Sequence, residues 1–175
     1  MRTKIKKVIM VLVMISTLFS STAFAQTQRK NYFNGNISED SKFLPESIKQ
    51  SIGTIQNTTR SAALATAMCS ITNEGGGVIG VYAETTMHKS VDWAYITVYL
   101  ERWDDSIGDW QNEGIYEQEF WPVNGKLTAA TFSFNVSDKP SGYYYRLRCT
   151  HEIEHDDNYE IKTTKTDGIL IRNAP

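Results

Sequence analysis

Beyond residue 62, apolar and polar side chains alternate with a period of two. The clearest run covers 91–103: Ala94, Ile96, Val98 and Leu100 take the even positions, and Trp93, Tyr95, Thr97, Tyr99 and Glu101 the odd ones. Successive side chains of a strand point to opposite faces, so this spacing predicts a strand with its aliphatic set on a core and the other set on the opposite surface. Similar runs predict strands over 65–71, 78–85, 110–121, 127–136, 143–154, 159–164 and 169–172. Inward-facing sets are Ile79, Val81 and Ala83; Ala130, Phe132, Phe134 and Val136; and Tyr143, Tyr145, Leu147 and Cys149. Turn residues separate the runs, as in Asn73-Glu74-Gly75-Gly76-Gly77, Asn124-Gly125, Asp138-Lys139-Pro140-Ser141-Gly142 and Asp167-Gly168. The 110–121 run carries Gly114 in its middle, a position for a break. Seven or so short strands at this spacing predict an all-β, immunoglobulin-like antiparallel sandwich over 62–175.

The first 61 residues read differently. Arg2, Lys4, Lys6 and Lys7 precede an apolar stretch from Val8 to Phe19, and Ala23-Phe24-Ala25 ends it. That order is a secretory signal over 1–25, too short in its apolar part to span a bilayer comfortably. Residues 26–61 are polar and without sustained period, which predicts a loosely ordered N-terminal segment with a short helix around Pro45 to Ile52. The expected destination is extracellular, with no membrane association after cleavage.

Charge narrows the partners. Eighteen basic and 20 acidic side chains give a net charge of −2, and four of the basic ones lie in the leader. A mildly acidic exported domain argues against nucleic acid and anionic membrane surfaces, which demand clustered Lys and Arg. The partner expected is a surface glycan or a protein.

Three stretches carry a resemblance: Ile96-Thr97-Val98-Tyr99-Leu100-Glu101-Arg102 with Trp110 beyond its turn, Ser141-Gly142-Tyr143-Tyr144-Tyr145-Arg146-Leu147-Arg148, and Thr166-Asp167-Gly168-Ile169-Leu170-Ile171. In order and spacing, roughly over Val78 to Ile171, they resemble a domain-of-unknown-function family of small secreted proteins of Gram-positive bacteria. The resemblance implies secretion and a β-rich fold, supplies no catalytic residue, and implies scaffold roles for Thr97, Tyr99, Glu101 and Arg146.

His151-Glu152-Ile153-Glu154-His155 matches the H-E-x-x-H zinc-protease pattern. That chemistry needs a helix, where residues four apart sit one turn apart and both imidazoles reach one ion. Here the alternation upstream and the Asp156-Asp157-Asn158 turn downstream predict a strand. On a strand the two histidines stand about 13 Å apart, from four rises of ~3.3 Å, too far to share one zinc. A zinc-dependent hydrolase through His151, Glu152 and His155 is therefore the disfavoured alternative, leaving at most weak surface binding of a metal by His151 with nearby carboxylates. No catalytic residue, metal or cofactor is expected. The acidic loops at Asp104–Asp109 and Asp156–Asn158 match no calcium-ligand spacing and read as solvated turns.

Two further groups remain. Trp93, Tyr95 and Tyr99, with Trp103 just beyond, share one face of their strand, and Tyr144, Arg146 and Arg148 share one face of theirs. If these strands are neighbours, rings and guanidinium groups form one surface suited to sugar rings or peptide segments. The same residues equally suit cross-strand packing, with Glu101 paired to Arg146 or Arg148. Cys69 and Cys149 can bridge the two sheets or stay as separate thiols; export permits either. The function expected is a non-catalytic binding or interaction module, with a carbohydrate- or peptide-binding role for the aromatic face.

Overall fold

The computed structural model describes residues 41–56 and 62–172. The leader over 1–25, and residues 26–40 and 57–61 of the N-terminal segment assigned to 26–61, lie outside the described residues. The chain forms two antiparallel sheets packed face to face, the β-sandwich that the alternation predicts. Nine strands are present among the described residues: β1 (Gln50–Gln56), β2 (Leu64–Gly75), β3 (Val78–Met87), β4 (Trp93–Asp104), β5 (Asp109–Phe120), β6 (Ala129–Val136), β7 (Tyr143–His155), β8 (Asn158–Lys165) and β9 (Ile169–Ile171). One sheet has the order β1-β2-β3-β6; the other has β5-β4-β7-β8, with β9 pairing the opening residues of β7. The chain crosses between sheets after β3, β5 and β6. As a result β6 returns beside β3 and β7 beside β4, a Greek-key arrangement.

The core is the set that period two assigned inward. Ala94, Ile96, Val98 and Leu100 of β4 are fully buried, as are Ile79 and Ala83 of β3 and Tyr145, Leu147 and Cys149 of β7. Phe132 and Phe134 pack against this core from the edge strand β6. Tyr143 departs from the reading. Placed inward by alternation, it sits at the first residue of β7, beyond the last β4 pair at Arg102–Tyr145 and paired to β9, where it is exposed and lies under the Arg102 guanidinium. The break expected at Gly114 is a β-bulge. Leu100 pairs Gly114 and Glu101 pairs Asn112, and the extra residue, Glu113, accepts a hydrogen bond from Arg102 Nε at 2.6 Å.

The region before residue 62 requires two corrections. No helix forms around Pro45 to Ile52; a turn at Glu46–Ser47 leads instead into β1. Nor is the described part loosely ordered, because β1 adds a full edge strand to β2, from Gln50 opposite Thr72 to Gln56 opposite Thr66. The reason is the pairing. β2 offers an unpaired edge, and β1 turns Ser51 and Gly53, both small, toward the other sheet while Ile52 faces outward. With this extra edge the described residues hold nine strands where seven or so were expected.

Candidate functional site

β4 and β7 are neighbours, with Trp93 opposite Glu154 and Tyr99 opposite Arg148. The outer surface of the five-stranded sheet therefore collects every residue singled out for an aromatic–arginine face: Trp93, Tyr95, Tyr99, Trp103, Tyr144, Arg146 and Arg148. All are half-buried. Read across the strands, the face is built in rows. Trp110 of β5 stands opposite Trp103 of β4, with Tyr144 of β7 on the same side; next come Asn112, Glu101 and Arg146, and then Ile115, Tyr99, Arg148 and Lys165. A row of threonines, Thr97, Thr150 and Thr163, with Glu117 at its β5 end, separates this half from a more acidic one carrying Glu119, Glu152 and Glu154 with Trp93 and Tyr95.

Glu101 organises the centre. Only 5% exposed, its carboxylate accepts from Arg146 Nε at 2.7 Å and from Arg148 Nε at 2.9 Å, so it pairs with both candidates rather than one. The two guanidinium groups in turn lie over rings, Arg146 over Trp110 at 4.5 Å and Arg148 over Tyr99 at 4.3 Å. The result is a preset ladder of ring, cation, anion, cation and ring. Replacing Glu101 with alanine is expected to cost about 2 kcal/mol, because two mostly buried cations lose their shared anion. A urea midpoint that stays put on this substitution would show that the ladder is held by packing alone.

The Trp103 end carries a feature that alternation did not reveal. The segment Ser41–Leu44 runs alongside Thr166–Gly168. Leu44 N donates to the Gly168 carbonyl at 2.9 Å and Gly168 N donates to the Lys42 carbonyl at 2.8 Å, a parallel bridge around Phe43. Lys42 N donates to Asp167 Oδ1 at 2.9 Å, and Ser41 Oγ donates to the Thr166 carbonyl at 2.8 Å while accepting from Arg146 at 3.0 Å. The Phe43 ring enters a cradle of three rings, with centroids 4.9 Å from Tyr144, 5.0 Å from Trp103 and 5.8 Å from Trp110. Gly168 makes room for the Trp110 wall of this cradle, since a Cβ there would fall 2.7 Å from Trp110 Cη2. Phe43 itself remains 47% exposed. At the opposite end Trp93 stacks on Tyr95 with centroids 5.6 Å apart, and its indole N–H donates to Glu119 at 2.6 Å.

His151 and His155 both lie on β7, so the strand geometry expected for the H-E-x-x-H match holds. Surface binding by His151 is overturned: the residue is fully buried. Its Nδ1 bonds Thr85 Oγ1 of β3 and its Nε2 bonds Thr164 Oγ1 of β8, each at 2.8 Å. Burial holds its pKa down at about 4. A neutral imidazole offers one donor and one acceptor, and a threonine hydroxyl serves as either, so both ring nitrogens are satisfied without charge. Thr164 continues this polar thread to Cys69 and Cys149, which are buried free thiols. Nothing in the thread reaches solvent, so it supports the core rather than chemistry on a substrate.

His155 faces the end of the sandwich. Asp92, His155 and Asp156 bring one nitrogen and two carboxylates within 4.8 Å of one another. These groups also close a tight hairpin, in which Asp156 and Asp157 take φ of 49° and 60°, as a two-residue turn with both central residues left-handed requires. Asp156 N donates to Asp92 Oδ2 at 3.0 Å, and His155 Nε2 lies 3.0 Å from Asp156 Oδ2. A cation on Nε2 would need Nδ1 to donate its proton to an acceptor, and that buried nitrogen has no partner among the described residues.

A second surface feature lies on the outer face of the four-stranded sheet. There a shallow groove of about 420 Å³ is lined by short polar side chains, Ser70, Thr72 and Asn135 among them, beside Tyr82 and Gly80. Among the described residues, no helix is long and apolar enough to cross a membrane. Compared with known protein families and with curated protein sequences, the chain matches no family model and no curated sequence. Fold and site together define an antiparallel β-sandwich, nine strands among the described residues, with an aromatic–arginine face and an internal segment seated at one end of it.

Proposed function

We propose that this chain is an exported, non-catalytic binding module whose aromatic–arginine face takes an extended peptide bearing an aromatic side chain. One observation carries the reading: the chain's own Ser41–Leu44 already lies there, held by main-chain bonds to Gly168 and by a ring in the Trp103–Trp110–Tyr144 cradle. Strand addition with a pocket for one side chain is a recurring way of binding peptides, in which backbone bonds give affinity and the pocket gives selectivity. The three rings stand tilted at 42–75° to Phe43 and grip one side of it, which suits the edge and face of a planar side chain better than the flat platform a sugar ring needs. Export rests on the leader reading of 1–25 and on the resemblance to small secreted proteins of Gram-positive bacteria.

The internal segment competes with any outside peptide at the millimolar effective concentration typical of a short tether. Phe43→Ala is therefore expected to open the cradle. A synthetic Ser-Lys-Phe-Leu-Pro peptide should quench the tryptophan fluorescence of the Phe43→Ala chain saturably and bind it roughly tenfold more tightly than wild type. Adding Trp110→Ala should abolish that binding. Equal titrations for all three chains would contradict the assignment of the cradle.

A further inference from the structure

We propose that Cys69 and Cys149 close into an inter-sheet disulfide when the chain folds in an oxidising compartment. Cys69 lies on β2 in one sheet and Cys149 on β7 in the other, and both are fully buried. Facing sheets usually pack about 10 Å apart, more than the ~4.4–6.8 Å between Cα atoms that a disulfide spans. At this level the two sheets come closer. Gly53, paired with Cys69, abuts the backbone of Lys165, next to Thr164, which is paired with Cys149. A Cβ on Gly53 would fall 2.6 Å from the Lys165 carbonyl carbon and 3.0 Å from its nitrogen. One strand inward from this pinch on each side, the two thiols share a hydrogen bond. That hydrogen bond from Cys149 holds the Cys69 thiol below its ordinary value, while burial pushes the Cys149 thiol up.

The oxidant is a low-molecular-weight disulfide such as oxidised glutathione. One cysteine attacks it, releasing one donor thiol and leaving a mixed disulfide; the second cysteine attacks that sulfur and releases the other donor thiol. Two protein thiols are oxidised to one bridge, and the donor disulfide is reduced to two thiols that carry away both protons. Because the folded sandwich excludes solvent from both sulfurs, the exchange runs before the sheets close, and the finished bridge is equally shielded from reductant. The bridge ties β2 to the strand that carries Tyr144, Arg146 and Arg148, and it stands or falls independently of what that face binds.

The test is to refold the reduced chain in a mixture of oxidised and reduced glutathione, and separately under strong reductant. Each product is then denatured, alkylated and weighed intact. The glutathione arm should yield a monomer lighter by two hydrogens that takes up no alkylating group, and its folded form should melt roughly 10 °C above the reduced form. Cys69→Ala should remove that oxidant-dependent shift. Two alkylated cysteines or glutathione adducts in the oxidising arm would overturn the proposal. So would a bridged form that melts no higher than the reduced one. The wild-type masses decide the matter even if the variant does not fold.

Discussion

Gly53→Ala is expected to cost the domain about 3 kcal/mol or more, among the largest effects of any single methyl group added to this fold. The new Cβ would meet the Lys165 backbone, its carbonyl oxygen closest of all. Backbone yields far less than the tip of a side chain, so relief requires moving β1 away from β8 and opening the sandwich along one edge. Gly80→Ala is the control. There the added carbon meets the carboxylate of Glu74, the far end of a flexible side chain on the surface, and a rotation of that side chain removes the clash. Chemical denaturation should therefore separate two identical substitutions, Gly80→Ala staying within about 1 kcal/mol of wild type. Comparable losses at both sites would mean that the two sheets are not pinned at Gly53.

Acid should destabilise the protein through His151. Its folded pKa is about 4 because burial disfavours the imidazolium, whereas an unfolded histidine titrates near ~6.5. Between those values the unfolded state binds the extra proton, so stability rises with pH across this window. The contribution is fully present above about pH 6.5 and is lost as pH falls toward 4, amounting to ~3 kcal/mol for this one group. His151→Leu should flatten that part of the pH profile while lowering stability at pH 7 by about 2 kcal/mol, since Thr85 and Thr164 lose their shared partner. A variant with the acid sensitivity of wild type would place the responsible proton elsewhere.

The legible parts of the fold are those where one strand carries its own signal. β4 displays four buried aliphatic residues at even positions, and β7 and β3 repeat the pattern, so the sandwich follows from alternation alone. β1 escapes because its inward positions are Ser51 and Gly53 while its exposed positions include Ile52. Hydrophobic periodicity sees the wrong face of a strand whose packing depends on small residues. The aromatic–arginine face was visible strand by strand, but its assembly depends on β4 lying beside β7, a non-local pairing that no local pattern encodes. Phe43 was invisible for the same reason: its partners Trp103, Trp110 and Tyr144 lie on three strands far along the chain. His151 shows the reverse. A five-residue match to a catalytic pattern gave no hint that Thr85 and Thr164 enclose the ring.

The most direct test of the peptide-binding reading is an NMR titration of the isotope-labelled Phe43→Ala chain with the Ser-Lys-Phe-Leu-Pro peptide, following every backbone amide and the indole N–H signals. The expected result is a set of perturbations confined to Trp103, Trp110, Tyr144 and Thr166–Gly168, saturating together. Perturbations centred instead on Ser70, Thr72, Tyr82 and Asn135 of the opposite sheet, or an unchanged spectrum, would contradict the assignment of the binding face.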